Sequence, residues 1–160
     1  MIEHAAVMRT RRQLVEWGRL CAEHQATIHY AEIRPIPLAV PPGDYNFTTD
    51  CSGFVTMLAH WVGLPDPNGL NYDGDGYTGT LLTHLPHISR LETWRGDLCV
   101  FGPDPGDHVV MLLEGGIEHA DPLVVSLGQE AGPLILRLSE ESRAQPAPQT
   151  FLRIMPPPTD

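Results

Sequence analysis

The hydrophobic period of this chain changes once, near residue 96, and that change limits its architecture more than any other feature. Before it, apolar residues recur at helical spacing; after it, they come in short blocks separated by turn residues. Over 3–27, Val7, Leu14, Gly18 and Cys21 share one stripe with Trp17 beside it, while Arg9, Arg12, Arg19 and Glu23 can face water. A second helix is predicted over 51–62, where Phe54, Leu58 and Trp61 fall at i, i+4 and i+7. A short helix is expected over 80–85. Strands are then predicted at 97–101, 108–114, 122–127 and 133–139, with a last short one at 151–155. Turn signals separate them, at Gly102-Pro103-Asp104-Pro105-Gly106, Gly115-Gly116 and Ala131-Gly132. Helices first and hairpin-linked strands afterwards indicate an α+β fold, with helices packed on an antiparallel sheet.

Two irregular stretches interrupt this order. Residues 30–50 carry Pro35, Pro37, Pro41, Pro42 and Gly43, so no long helix survives there. Residues 63–79 form a long Gly/Asn/Asp/Pro loop. The 160 residues suffice for one domain, assigned to 1–143, with 144–160 expected to be a Pro-rich tail or linker. No internal repeat is visible.

Charge narrows the function classes. Twenty acidic residues face ten basic ones, giving a formal charge of −10, and every basic residue is Arg. Without lysine there is no P-loop lysine, no Schiff-base lysine and no Ser–Lys dyad. The acidic excess argues against a nucleic-acid groove or a polybasic membrane patch, so neither partner is expected. No window approaches the ~18 consecutive apolar residues of a membrane span. The N-terminus shows no basic region followed by an apolar run, so no secretory leader is expected. The three cysteines, Cys21, Cys51 and Cys99, are odd in number and widely spaced; free thiols are expected rather than a disulfide framework. Asn71-x-Asp73-x-Asp75-Gly76 opens like a calcium loop, but its twelfth position is Leu82, not a bidentate Glu. His84 and His87 flank Pro86, which spoils a shared helical face. Neither a metal nor a cofactor is therefore expected.

The informative segment is Thr49-Asp50-Cys51-Ser52-Gly53-Phe54-Val55. Cys51 sits where the Pro-rich approach ends and an apolar helix begins. A thiol in that first turn faces unpaired helix N–H groups and the positive end of the dipole, an arrangement that activates a sulfur nucleophile. The plainer alternative is a small buried hydrophobe, the usual fate of a free cysteine. A sulfur nucleophile needs a base, and His108 is the best placed of the eight histidines. It follows Gly106-Asp107 and opens the strand Val109-Val110-Met111-Leu112-Leu113, where it can project into a cleft while its followers pack the sheet. A solvated strand end is the alternative.

Taken together, Asp50-Cys51-Ser52-Gly53-Phe54-Val55, then Gly96-Asp97-Leu98-Cys99-Val100-Phe101, then His108-Val109-Val110-Met111-Leu112-Leu113 resemble the NlpC family of cell-wall cysteine peptidases, which are papain-like. The likeness covers about residues 30–138. Within it, Asn68-Gly69-Leu70, Gly76-Tyr77-Thr78-Gly79-Thr80-Leu81-Leu82 and Ser126-x-Gly128-Gln129-Glu130-x-Gly132-Pro133 are similar to peptidase domains of endolysins from phages of actinobacteria.

The resemblance implies a peptidoglycan hydrolase that cuts an amide bond in the murein stem peptide, with Cys51 as nucleophile and His108 as general base. It implies that Asp50 and Ser52 recognise the peptide's free amino end, that Tyr30 lies near the oxyanion region, and that Tyr77 in the 63–79 loop meets substrate. It implies a monomer that waits in the host cytoplasm until lysis and then acts on the wall. The family places a polar residue, commonly His, on the strand after the base; at the matching position here stands Leu127, which cannot orient an imidazole. Gln129 or Glu130 is expected to replace it, with His119 in the Gly-rich turn as a further candidate. Amidase cleavage between N-acetylmuramic acid and L-Ala is an alternative on the same fold. A non-catalytic murein-binding or phage structural module is another, motivated by Leu127.

Overall fold

The structure is a computed structural model, and it describes residues 4–129 and 132–157. Helix α1, His4–Glu23, buries Val7, Leu14, Gly18 and Cys21, the stripe the sequence predicts, and adds Arg11 to it. Strand β1, Ile28–Tyr30, pairs in parallel with β2, Phe47–Thr49, so the Pro-rich stretch between them is a crossover that returns the chain beside itself. Trp61 pins that crossover: its indole N–H donates to the Val40 carbonyl at 3.0 Å, and its ring meets Trp17 edge-on with centroids 5.2 Å apart. Helix α2, Cys51–Trp61, follows directly and is buried from Cys51 through Ala59. A shorter helix, α3, spans Thr78–His84.

Six strands form the main sheet: β3, His87–Ile88; β4, Leu98–Phe101; β5, His108–Leu112; β6, Leu123–Ser126; β7, Leu134–Arg137; and β8, Gln149–Leu152. Their order is β3-β8-β4-β5-β6-β7, with every neighbouring pair antiparallel. Alternation along β5 divides the core. Val109 and Met111 pack with Leu14, Cys21, Phe54 and Leu58 beneath α1 and α2. Val110 and Leu112 pack with Cys99, Phe101, Phe151 and Leu138 on the other face. Leu138 opens helix α4, Leu138–Ala144, which continues straight out of β7. Each fully buried Leu or Phe side chain contributes on the order of 1.5–3 kcal/mol, so both faces of the sheet add to the stability of the fold.

The α+β class and the antiparallel sheet agree with the sequence reading. Two elements correct it. The stretch expected to run as strand to residue 139 turns into α4 at Leu138, where Glu140 and Glu141 favour a helix start by opposing the dipole. The segment after 143, expected as a tail with a last short strand at 151–155, forms its strand earlier, as β8, which lies inside the sheet between β3 and β4. Beyond it Ile154 and Met155 are 8% and 7% exposed.

Candidate active site

Asp50 begins the site as the N-cap of α2. Its Oδ1 accepts the Gly53 N–H at 2.8 Å, and its backbone carbonyl accepts the Phe54 N–H at 2.9 Å. Gly53 is required for this close approach, because a Cβ there would lie 2.0 Å from Thr49 Oγ1 and 3.0 Å from Asp50 Oδ1. The cap fixes Cys51 in the first turn, 6% exposed, on the core side of the helix. Parallel pairing sets Tyr30 opposite Thr49, which brings the phenol to the same end of α2. Tyr30 donates its hydroxyl to Glu32 at 3.2 Å. Its titration is pushed upward by burial first, then by the neighbouring Cys51 and Glu32.

His108 enters from the first residue of β5, paired across the ladder with Phe101. Its ring is 5% exposed and is flanked by three groups. Nε2 lies 2.8 Å from Ser126 Oγ and 3.3 Å from Glu141 Oε1, and the Cys51 sulfur is near enough to raise the ring's affinity for a proton. Burial alone would lower the imidazole's affinity for a proton. The hydrogen bonds and charges of Cys51 and Glu141 outweigh it, and the His108 pKa is pushed up from 6.5 to about 9. A proton on His108 is therefore favoured at neutral pH, with the Glu141 carboxylate and the Ser126 hydroxyl against Nε2.

The groups that meet this ring are ones the sequence reading did not single out. Gln129 is exposed and lies beyond the end of β6, and the His108 nitrogen is met by Ser126 and Glu141 instead. Glu130 lies outside the described residues. Leu127 is fully buried in the cluster that holds Leu14 and Cys21, one strand step from Ser126 and so on the opposite face of the sheet. The position next to the base is thus Ser126, and Leu127 leaves no gap at the site. His119 is exposed and sits 3.7 Å from Glu114. Glu141 was not among the sequence candidates, because α4 itself was not foreseen. One signal pointed to it: an acidic pair followed by Ser142-Arg143, a helix-compatible run directly after an apolar strand.

The remaining wall comes from the crossover and the long loop. Arg34 reaches back to pair with Asp50 Oδ2 at 3.0 Å and donates to Ser52 Oγ at 3.1 Å. Its Nε donates to the Gly76 carbonyl at 2.9 Å, which ties the loop before α3 to the start of α2. Tyr77 follows Gly76 and is 47% exposed on the rim. The loop is built around Asp66, whose oxygens accept N–H groups of Asn68, Leu70 and Tyr72. Asp50, Ser52 and Tyr30 are thus gathered at the cysteine, and Tyr77 is tied to them only through its chain neighbour Gly76, whose carbonyl accepts from Arg34. Cys21 and Cys99 lie apart in the core, where burial pushes both thiols up to about 12. The described residues form no cluster of three or more metal-binding groups.

No family model matches the chain. Its structure superposes on the P60 domain of an antigen from Mycobacterium avium subspecies paratuberculosis with a TM-score of 0.59 at 23% identity, covering 92% of this chain and 98% of that one. The peptidoglycan hydrolase RipB of Mycobacterium tuberculosis superposes with a TM-score of 0.57 at 23% identity, over 93% of this chain and 68% of that one. These likenesses establish the fold. In sequence, the peptidoglycan endopeptidase RipB of M. tuberculosis is 30% identical over 140 residues, covering 81% of this chain. The chain belongs to the NlpC/P60 family. It spans 55% of that relative's length.

Proposed function

We propose that this NlpC/P60 domain is a cysteine hydrolase of peptidoglycan that cleaves an amide bond in the stem peptide. The observation that carries the reading is a buried histidine that meets a carboxylate and a hydroxyl, beside a cysteine in the first turn of a helix. In this mechanism Cys51 Sγ, its proton already passed to His108, attacks the scissile carbonyl carbon, forming an S–C bond and placing negative charge on the carbonyl oxygen. Gly53 and Phe54 N–H groups are already bonded to Asp50, which leaves those of Cys51 and Ser52 at the helix start to face that oxygen. His108 gives its proton to the amide nitrogen, the C–N bond breaks, and the amine leaves a thioester on Cys51. Water then attacks the thioester while His108 takes its proton, the C–S bond breaks, and the acid departs, leaving the sulfur and the protonated His108 as at the start. Ser126 and Glu141 hold the imidazole in place and stabilise its charged form.

The names of the relatives support a substrate in the bacterial wall, and the loop motifs support a lysin of phage origin. Such a lysin accumulates in the host cytoplasm and meets the wall at lysis. Ser126 and Glu141 favour catalysis over a binding-only module, since they give the base the partners that Leu127 had put in doubt. Mass spectrometry of muropeptides after incubation with purified sacculi tests the reading. New fragments bearing freed amino and carboxyl ends are expected from the protein and none from Cys51→Ala, and equal digestion by that variant overturns it. The position of the new ends separates stem-peptide cleavage from amidase cleavage next to the muramic acid.

A further inference from the structure

Arg34 occupies the carboxylate that flanks the nucleophile. A guanidinium has five N–H donors. Here Nε serves Gly76 O, Nη1 serves Ile33 O at 2.7 Å, and the two hydrogens of Nη2 serve Asp50 Oδ2 and Ser52 Oγ. One N–H, on Nη1, meets no acceptor among the described residues, on a side chain that is 27% exposed. Asp50 is correspondingly engaged: Oδ1 accepts from Gly53 N and from Ser52 Oγ at 3.3 Å, and Oδ2 pairs with Arg34, which leaves one of its four acceptor sites. The resemblance implied that Asp50 and Ser52 receive a free α-amino group. In this chain such an ammonium meets a neutralised carboxylate and a fixed positive charge. The other carboxylate nearby, Glu32, is exposed and already accepts the Tyr30 hydroxyl, so water screens what attraction it offers.

We propose that Arg34 is a specificity-determining residue that turns this part of the site from ammonium recognition to oxygen recognition. The preferred substrate then carries an acylated amino end, as in a stem peptide still joined to its glycan strand, and a free α-ammonium is disfavoured. This rests on the hydrolase reading above for the identity of the peptide, while its own basis is the hydrogen-bond inventory of Arg34 and Asp50. The acyl carbonyl supplies the acceptor that the spare Nη1–H lacks, and acylation removes the like charge that opposes Arg34.

Calorimetric titration of Cys51→Ala protein with two synthetic stem tetrapeptides, one N-acetylated and one with a free amino end, tests the inference without turnover. The N-acetylated peptide is expected to bind about tenfold tighter or more, and Arg34→Gln in the same background to shrink or reverse that ratio. Equal or tighter binding of the free-amine peptide overturns the inference, as does failure to bind either peptide. An unchanged ratio in a folded Arg34→Gln protein also overturns it, and the ratio with Arg34 in place decides should that variant not fold. Turnover by the unmutated protein is a separate arm. Cleavage of both peptides at like rates overturns the role of Arg34 and leaves the hydrolase reading standing; selective binding without cleavage of either does the reverse.

Discussion

The proton on His108 is held by neighbours of different kinds, and each leaves a separable mark on the reaction. Glu141 contributes charge as well as contact, whereas Ser126 contributes a 2.8 Å hydrogen bond and no charge. The His108 pKa of about 9 places the loss of its proton on the alkaline side of neutrality, so kcat/KM should fall as pH rises through about 9. In Glu141→Gln one of the causes that raise this pKa is gone, and the alkaline limb should move down toward 6.5, with kcat lowered about 10²-fold. In Ser126→Ala kcat should fall while the limb stays in place. A limb that does not move in Glu141→Gln would remove the carboxylate from the mechanism. The sign for stability follows from the same shift. The folded pKa lies above the unfolded value, so the contribution is fully present below about 6.5 and is lost as pH rises through about 9. Cys51 and His108 were legible in the sequence because a helix start and a strand start announce themselves locally. Glu141 was not, because only the fold brings residues 108 and 141 together.

At the scale of elements, local signals and long-range pairing divide what could be read. The stripe of α1 and the apolar run of α2 were legible to within a few residues, since a helix is closed by bonds four residues apart. The β1–β2 pair was not. Its strands have three residues each, and their parallel register across the Pro-rich crossover has no hairpin turn to mark it. Helix α4 has seven residues, of which only Leu138 and Glu141 are buried, too few to show a period. The loop before α3 read as a Gly/Asp-rich stretch, but its organising residue is Asp66, which the resemblance to a calcium loop passed over. Burial works against the Asp66 carboxylate's charge, yet the N–H donors of Asn68, Tyr72 and Leu70 outweigh it and hold its pKa below the usual value. Asp66→Ala leaves those amides without their acceptor, each hydrogen bond to a charged group contributing about 1.5–3 kcal/mol. Hydrogen exchange at Asn68, Leu70 and Tyr72 should then quicken while the amides of α2 keep their protection. Equal quickening in α2 would mean that the loop and the helix open as one unit.

For the whole molecule, the decisive contact joins the two ends of the chain around one buried ion pair. Arg11 is completely buried in α1 and meets Asp97 at 3.1 Å at the start of β4. Its Nη2 donates to the Met155 carbonyl at 2.7 Å, and Asp97 Oδ1 accepts the Ile154 N–H at 3.1 Å. The C-terminal segment is thereby clamped to the first helix, and β8 behind it fills the gap between β3 and β4. Proline-rich flanks made residues 144–160 look separable, since the strand between them is short and its partners lie far away in sequence. Ending the chain after residue 148 tests the assignment of this segment to the domain. The shortened chain loses Phe151, Leu152, Ile154 and Met155 from the core, each worth about 1.5–3 kcal/mol. It also leaves Arg11 and Asp97 short of partners inside the protein, and breaking such a buried network costs about 3–5 kcal/mol. Together these losses match the ~5–15 kcal/mol that typically holds a domain folded. The shortened chain should therefore show no cooperative thermal transition by circular dichroism and no murein cleavage, while the longer chain shows both. A sharp transition in the shortened chain would return 144–160 to the status of a tail.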